Sequence, residues 1–296
     1  MVRLLVLISI ICSVAVSCNK TNDIQLKNNS VLTNGNMHKV SYKLNGLGDL
    51  GNGRTNSKEV AAGSYLDYLF YAVYDSTGKL VHKKEQRKIF SPDNFGFISD
   101  SLLTGSYNVV VAGTKDSLLF ANGYNQLNTL QLSGNFPQDV FCSKFSLSVG
   151  NKDTSLNNIR LDRLTGQLEI VLTDSLLALL YQTITCSVTN HPQAYNVMAD
   201  STVGSTYAGR TFYGYQMGQK TSVFDAFFLG SDSTYTIEIL ANTGYLGGNV
   251  SKKIKNVKLY RNKKTILTGS FNNASSTVNA NRAGDVTDKH FIIQHF

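Results

Sequence analysis

Apolar residues in this chain recur in short alternating runs, and that period of two decides its fold class. Leu164, Gly166, Leu168, Ile170 and Leu172 point one way, while Thr165, Gln167, Glu169 and Val171 point the other. Successive side chains of a strand face opposite sides of a sheet, so this run reads as a strand with one buried face. Strand-like runs also occur at residues 40–44, 65–75, 107–113, 140–149, 183–189, 206–215, 223–228, 235–241, 254–260, 266–271 and 290–294. Turn chemistry lies between them, as in Asp75-Ser76-Thr77-Gly78 and the Gly- and Asn-rich stretch 46–53. Only residues 174–180 read as a helical turn, with Asp174 as its cap. Strand upon strand with almost no long helical period predicts an all-β chain of packed sheets rather than an α/β enzyme.

The 296 residues are long for one domain and comfortable for two of about 100–200 each. The polar stretch Gly150-Asn151-Lys152-Asp153-Thr154-Ser155 interrupts the strand pattern, so the expected division is an N-terminal sandwich over 37–152 and a C-terminal sandwich over 153–296.

The first 17 residues follow a different logic. Met1, Val2 and Arg3 form a basic head, an apolar run extends from Leu4 to Val16, and small residues lead to Cys18. That is the layout of a secretory leader, and the run is too short to span a bilayer, which takes about 20 residues. A cysteine directly after the small residue resembles a bacterial lipoprotein signal, with Ala15 departing from the commoner Leu. The resemblance implies a diacylglycerol on the Cys18 thiol, cleavage before it, and acylation of the new amine. One acyl chain binds a membrane marginally, whereas several anchor it stably. Residues 1–17 are thus expected to leave, and 18–36, which lack apolar periodicity, to form a lipidated tether.

Composition narrows the chemistry. The net charge of +8 is scattered over small clusters at Lys83-Lys84, Arg87-Lys88, Lys252-Lys253 and Arg261-Lys263-Lys264, without an RNA-binding motif or zinc spacing, so no nucleic-acid partner is expected. Cys142 and Cys186 are the cysteines left after the leader and Cys18. Cys142 faces away from Phe141, Phe145, Leu147 and Val149, whereas Cys186 shares the apolar face of Ile184 and Val188, so both are expected free. Gly46, Gly48 and Gly51 spell GxGxxG, but no helix pattern follows to meet a pyrophosphate. The five histidines have no metal-ligand spacing, and neither a GxSxG elbow nor a Walker loop occurs. The expectation is a non-enzymatic protein with no cofactor, no metal and no catalytic residue.

Several segments carry a family likeness. Val257-Lys258-Leu259-Tyr260-Arg261-Asn262-Lys263-Lys264-Thr265-Ile266-Leu267-Thr268-Gly269 resembles the late signature of the fimbrillin superfamily of Bacteroidetes, where Arg-Asn and Thr-x-Leu-Thr-Gly join two strands of the second domain. Leu161-Asp162-Arg163-Leu164-Thr165-Gly166-Gln167-Leu168 resembles the opening strand of that domain. Residues 69–78 and Leu103-Thr104-Gly105-Ser106-Tyr107 resemble first-domain strands. The resemblance implies two tandem transthyretin-like Greek-key β-sandwiches and an outer-membrane lipoprotein of the anchor or accessory type. Its partners would be fimbrial subunits joined by strand exchange. In stalk subunits an arginine-specific protease removes the first strand, which makes Arg54 a candidate processing site; an ordinary loop arginine is the simpler reading. The C-terminal strand, residues 291–296, either is donated to a partner or closes its own sandwich.

A rival reading is a surface glycan-binding lipoprotein whose Tyr207, Tyr213 and Tyr215 stack on sugar rings; aromatics in strands more often belong to a core. Six Asp-Ser steps, at Asp75, Asp100, Asp116, Asp174, Asp200 and Asp232, resemble the O-glycosylation sequon of the same bacteria and equally suit turns and caps.

Overall fold

A computed structural model describes residues 35–47, 65–134, 138–172, 183–213, 222–229, 234–242, 249–269, 279–281, 284–285 and 291–295. The first half contains β1 (Met37–Leu47), β2 (Tyr68–Tyr74), β3 (Leu80–Arg87), β4 (Phe97–Leu103), β5 (Gly105–Thr114), β6 (Leu118–Phe120), β7 (Gln131–Gly134), β8 (Val140–Val149) and β9 (Thr154–Arg163). Seven of these follow one hydrogen-bonded path, β3-β2-β5-β8-β9-β1-β4. The path folds between β8 and β9, where only Phe141 with Arg163 and Cys142 with Asp162 pair. Layers β3-β2-β5-β8 and β9-β1-β4 therefore face each other across a core that includes Tyr42, Leu69, Tyr71, Val111, Phe141 and Leu161.

The second half contains β10 (Thr165–Leu172), β11 (Thr183–His191), β12 (Ala194–Asn196), β13 (Ser201–Val203), β14 (Thr206–Tyr213), β15 (Ser222–Leu229), β16 (Thr234–Asn242), β17 (Asn249–Lys258), β18 (Lys263–Gly269), β19 (Asn279–Asn281), β20 (Gly284–Asp285) and β21 (Phe291–His295). Its sheets run β15-β10-β18-β21-β19, with β20 on β18, and β14-β11-β16-β17. Leu168, Ile170, Leu172, Cys186, Ile237 and Ile239 lie in the core between them. The order β4-β1-β9 matches β15-β10-β18, and β3-β2-β5-β8 matches β14-β11-β16-β17. In both halves the central strand of the smaller set runs antiparallel to one neighbour and parallel to the other. The chain is a tandem of one Greek-key sandwich.

Local chemistry explains details of the second copy. A β-carbon on Gly166 would stand 2.3 Å from the Tyr260 carbonyl oxygen, so β10 can lie against that carbonyl only with glycine there. In β17 the register shifts opposite Tyr235 and Ile237, which lets both Ile254 and Val257 face the core although they are three residues apart. Asn256 at that bulge has φ 60°, a conformation Asn tolerates better than most side chains.

A small fourth sheet, β13-β12-β7-β6, joins the halves: Tyr195 and Asn196 of β12 pair with Leu132 and Gln131 of β7. With Leu130 and Val197 it covers the outer face of β2 and β5. That second cover explains why all seven residues of β2 are buried: a strand packed on both faces carries a continuous apolar run.

The structure corrects three expectations. β9 pairs with β1 and belongs to the first sandwich, so the expected boundary at 152–153 separates β8 and β9 of one sheet path; the chain passes to the second sandwich at Leu164. For the same reason Leu161, Asp162 and Arg163 end the first sandwich rather than open the second. Cys142 faces away from the first core as expected, yet it is 6% exposed because the small sheet covers that side.

Two of the basic clusters also lie at sheet edges. Lys83 and Lys84 lie on β3, and Lys252 and Lys253 on β17, each the last strand of its sheet path. Lysine on an edge opposes unwanted pairing with another sheet.

Candidate strand-exchange site

β1 is the central strand of β4-β1-β9. It pairs antiparallel with β4 from Met37 opposite Leu103 to Lys43 opposite Phe97, and parallel with β9 from Val40 opposite Thr154 to Leu47 opposite Leu161. Its period of two sends Val40, Tyr42 and Leu44 into the core. Removing an 11-residue strand, about 35 Å at the usual rise, would open a groove with unpaired main-chain groups on both walls. A single cut within 48–64 separates β1 from every later strand. Its counterpart β10 lies between Leu164 and β11, so releasing it takes two cuts.

A buried polar chain ties β1 to its neighbours. The Tyr42 and Tyr71 hydroxyls are 3.3 Å apart, and Tyr71 donates to Asp100 Oδ2 at 3.1 Å. His82 Nδ1 lies 3.1 Å from Asp100 Oδ1, Lys84 Nζ lies 3.6 Å from the same oxygen, and the Ser101 amide donates to it at 2.9 Å. Burial pushes the Asp100 carboxyl up, but the His82 hydrogen bond, with the His82 and Lys84 charges, outweighs it and holds the group below its ordinary range. Burial raises the Tyr42 phenol to about 12 and the Tyr71 phenol further, the Asp100 charge adding to both, so both remain neutral hydrogen-bonding groups. A strand taking the place of β1 thus meets apolar subsites at Val40 and Leu44 and a polar one at Tyr42.

The junction between the sandwiches is also built from buried polar groups. Arg163 Nε stands 2.9 Å from Asp139 Oδ2, and its Nη1 donates to Asn262 Oδ1 at 3.2 Å. Tyr65 donates to Asp139 Oδ2 at 2.8 Å, and Thr165 donates to Oδ1. Burial pushes the Asp139 carboxyl up against the opposing pull of Arg163 and these donors. Asn262, with φ 55°, also donates its amide to the Thr165 carbonyl at 2.8 Å, so the Arg-Asn pair of the late signature forms the turn between β17 and β18 and a clasp on the junction. Arg261 donates to Asp200 Oδ1 at 2.9 Å, and Tyr195 does so at 2.6 Å. Sequence reasoning missed Asp139, Arg163 and Asn262 as a unit; three polar residues so far apart in the chain have no shared period to reveal them.

Of the expected site residues, Cys18 and Arg54 lie outside the described residues, as do Tyr215, Asp174, Asp232 and the Tyr213 side chain. Tyr207 is 62% exposed on β14. Cys142 and Cys186 are free and buried, and burial pushes both thiols up to about 12, which makes them poor nucleophiles. Asp75 fulfils the turn reading, its Oδ1 accepting from the Thr77 and Lys79 amides at 2.9 and 3.0 Å. Asp100 departs from it, being a buried mid-strand residue of β4.

No family model and no curated protein sequence matches the chain. Solved structures do. One from Bacteroides thetaiotaomicron, provisionally described as polysaccharide-binding, aligns at 14% identity and TM-score 0.54 over 79% of this chain and 92% of its own. A provisionally described cell adhesion protein from Bacteroides eggerthii aligns at 12% identity and TM-score 0.48 over 88% of this chain and 98% of its own. The tip fimbrial protein of Porphyromonas gingivalis, with a C-terminal truncation, aligns at 9% identity and TM-score 0.43 over 79% of this chain and 94% of its own. The first of these likenesses establishes a shared fold: this chain has the all-β architecture of the Bacteroides thetaiotaomicron protein across nearly the whole of that structure.

Proposed function

We propose that the chain is an outer-membrane lipoprotein of the fimbrial anchor or accessory type, tethered through Cys18, non-catalytic, and joined to neighbouring subunits by β-strand complementation. The position of β1 carries the reading: it is the first described strand, central in its sheet, and one cut releases it. In strand addition, main-chain hydrogen bonds supply affinity and alternate side chains in pockets supply specificity. The groove offers both, with subsites at Val40, Tyr42 and Leu44. If β1 stays in place, the segment for donation is the C-terminal strand β21, which pairs in parallel with β18.

The test is intact mass and cross-linked partners of the protein from its native membrane, with Cys18→Ser as control. A triacylated chain starting at Cys18, uncut at Arg54 and linked to another sandwich subunit, supports the anchor role. A chain cut after Arg54 makes it a polymerising subunit. A lipidated monomer with no protein partner overturns the fimbrial reading.

A second reading, surface glycan binding, draws on the exposed Tyr207 ring and on the polysaccharide-binding description of the Bacteroides thetaiotaomicron protein. Retention on a glycan array by the monomer would favour it.

A further inference from the structure

Where β7 and β8 of the first half meet β10, β11, β14 and β15 of the second, a cleft of about 190 Å³ opens between the sandwiches. In a chain of net charge +8, none of its lining residues is Asp, Glu, Lys or Arg. His191, 8% exposed, is the one titratable base in the wall. Its Nδ1 lies 2.9 Å from the Pro192 carbonyl oxygen, which can only accept, so Nδ1 carries the proton. Burial lowers the pKa of the ring, against the pull of the Pro192 and Tyr207 carbonyls, and keeps it neutral. The cleft therefore offers nothing to balance an ionic ligand, and burying an unpaired charge there would be costly.

The lining suits a ring with one apolar face and a hydroxyl rim. Phe227, half-buried, and the buried Leu229 form apolar wall, while Gln193 and Thr206 are exposed polar residues at the rim. Tyr207 is 62% exposed, and its phenol end lies over Gly209, where a β-carbon would stand only 2.8 Å from the hydroxyl oxygen. That glycine lets the ring lie along β14 while remaining open to solvent. The volume equals about six waters' share of liquid, room for one sugar ring but below the roughly 300–1,000 Å³ of pockets that take larger ligands. Domain junctions are also where such sites occur preferentially.

We propose that this cleft binds a single neutral pyranose, the terminal ring of a surface glycan, with Tyr207 as the stacking face and Gln193 and Thr206 as hydroxyl partners. The proposal rests on the glycan-binding reading and supplies its site and ligand class.

Saturation-transfer NMR of the full chain in detergent, with the methyl glycosides of glucose, galactose, mannose and N-acetylglucosamine, and that of glucuronic acid as the charged comparison, tests it. At least one should receive saturation through its ring C–H protons. Tyr207→Ala should weaken that ligand roughly fivefold, and Tyr207→Phe should retain it, as expected for loss or preservation of an aromatic face. Tyr207 is exposed, so both variants should fold, checked by thermal melts. Equal binding by wild type, Tyr207→Ala and Gln193→Ala would overturn the cleft but leave glycan binding standing. No binding of any glycoside would overturn both, and a preference for glucuronic acid would overturn the neutral-ring assignment.

Discussion

The two sandwiches have the same strand order, yet they differ in the kind of polar group they bury. Asp100 lies in the first sandwich beside Tyr42 and Tyr71 of its core. Among the described residues the second buries no carboxylate, and its fully buried Tyr235 donates to the Leu229 carbonyl at 3.2 Å. They also differ at one edge. β18 carries β21 in parallel, whereas among the described residues β9 pairs only with β1 and briefly with β8. The same topology thus gives two halves that differ in what they bury and in what flanks the parallel neighbour of the central strand. A strand in the place of β1 without the Tyr42 hydroxyl would cost only the Tyr42–Tyr71 contact, because Tyr71, His82, Lys84 and the Ser101 amide all stay on Asp100.

The sharpest way to break this comparison is at the junction both halves share. Asp139→Ala leaves Arg163 buried without its carboxylate, and breaking such a pair typically costs about 3–5 kcal/mol. Guanidinium unfolding should then separate into two transitions as the sandwiches uncouple; a single transition, merely shifted, would mean that the small sheet β13-β12-β7-β6 suffices to couple them.

A smaller effect should distinguish the halves by pH. The depressed Asp100 carboxyl contributes stability that is fully present above the ordinary carboxylate range and lost as pH falls through its folded-state value. Asp100→Asn should cost about 1.5–3 kcal/mol at neutral pH, the worth of hydrogen bonds to a charged group. The gap from wild type should close as the medium is acidified, and only first-half probes should report it. Amide hydrogen exchange across pH 2–7, read separately on the strands of each half, measures it; an equal gap at every pH would contradict the assigned charge.

Smallest in stability is the edge. Lys253→Val with Lys255→Val, both exposed on β17, should move the unfolding midpoint little, within about 0.5 kcal/mol, yet raise aggregation measured by light scattering. Unchanged solubility would show that the lysines do not guard that edge.

What was legible in the sequence follows from how strands were packed. β8, β10 and β16 announced themselves because a strand with one face in a core shows its period in its own residues. β2 showed only density, since both faces are covered. β3, β4 and β9 escaped notice: β3 is a lysine-rich edge, and β9 interleaves Asn157, Asn158 and Arg160 with few apolar residues. The domain boundary moved for that reason, because an unrecognised polar strand reads as a linker. The candidate site was least legible. The central place of β1 depends on pairing Val40 with Thr154, and the cleft on bringing Ser133 Oγ within 2.9 Å of the Gln193 carbonyl, neither of which leaves a local signal.

The most direct measurement of exchangeability is strand uptake. The full chain would be cut with an arginine-specific protease, kept folded, and offered a fluorescent peptide of residues 37–47. The account predicts peptide binding that depends on cleavage after Arg54, restores the lost thermal stability, and weakens when the position of Tyr42 carries Lys. A cleaved chain that remains fully stable and never takes up the peptide, or an uncleaved chain that binds it equally well, would contradict β1 as the exchangeable strand.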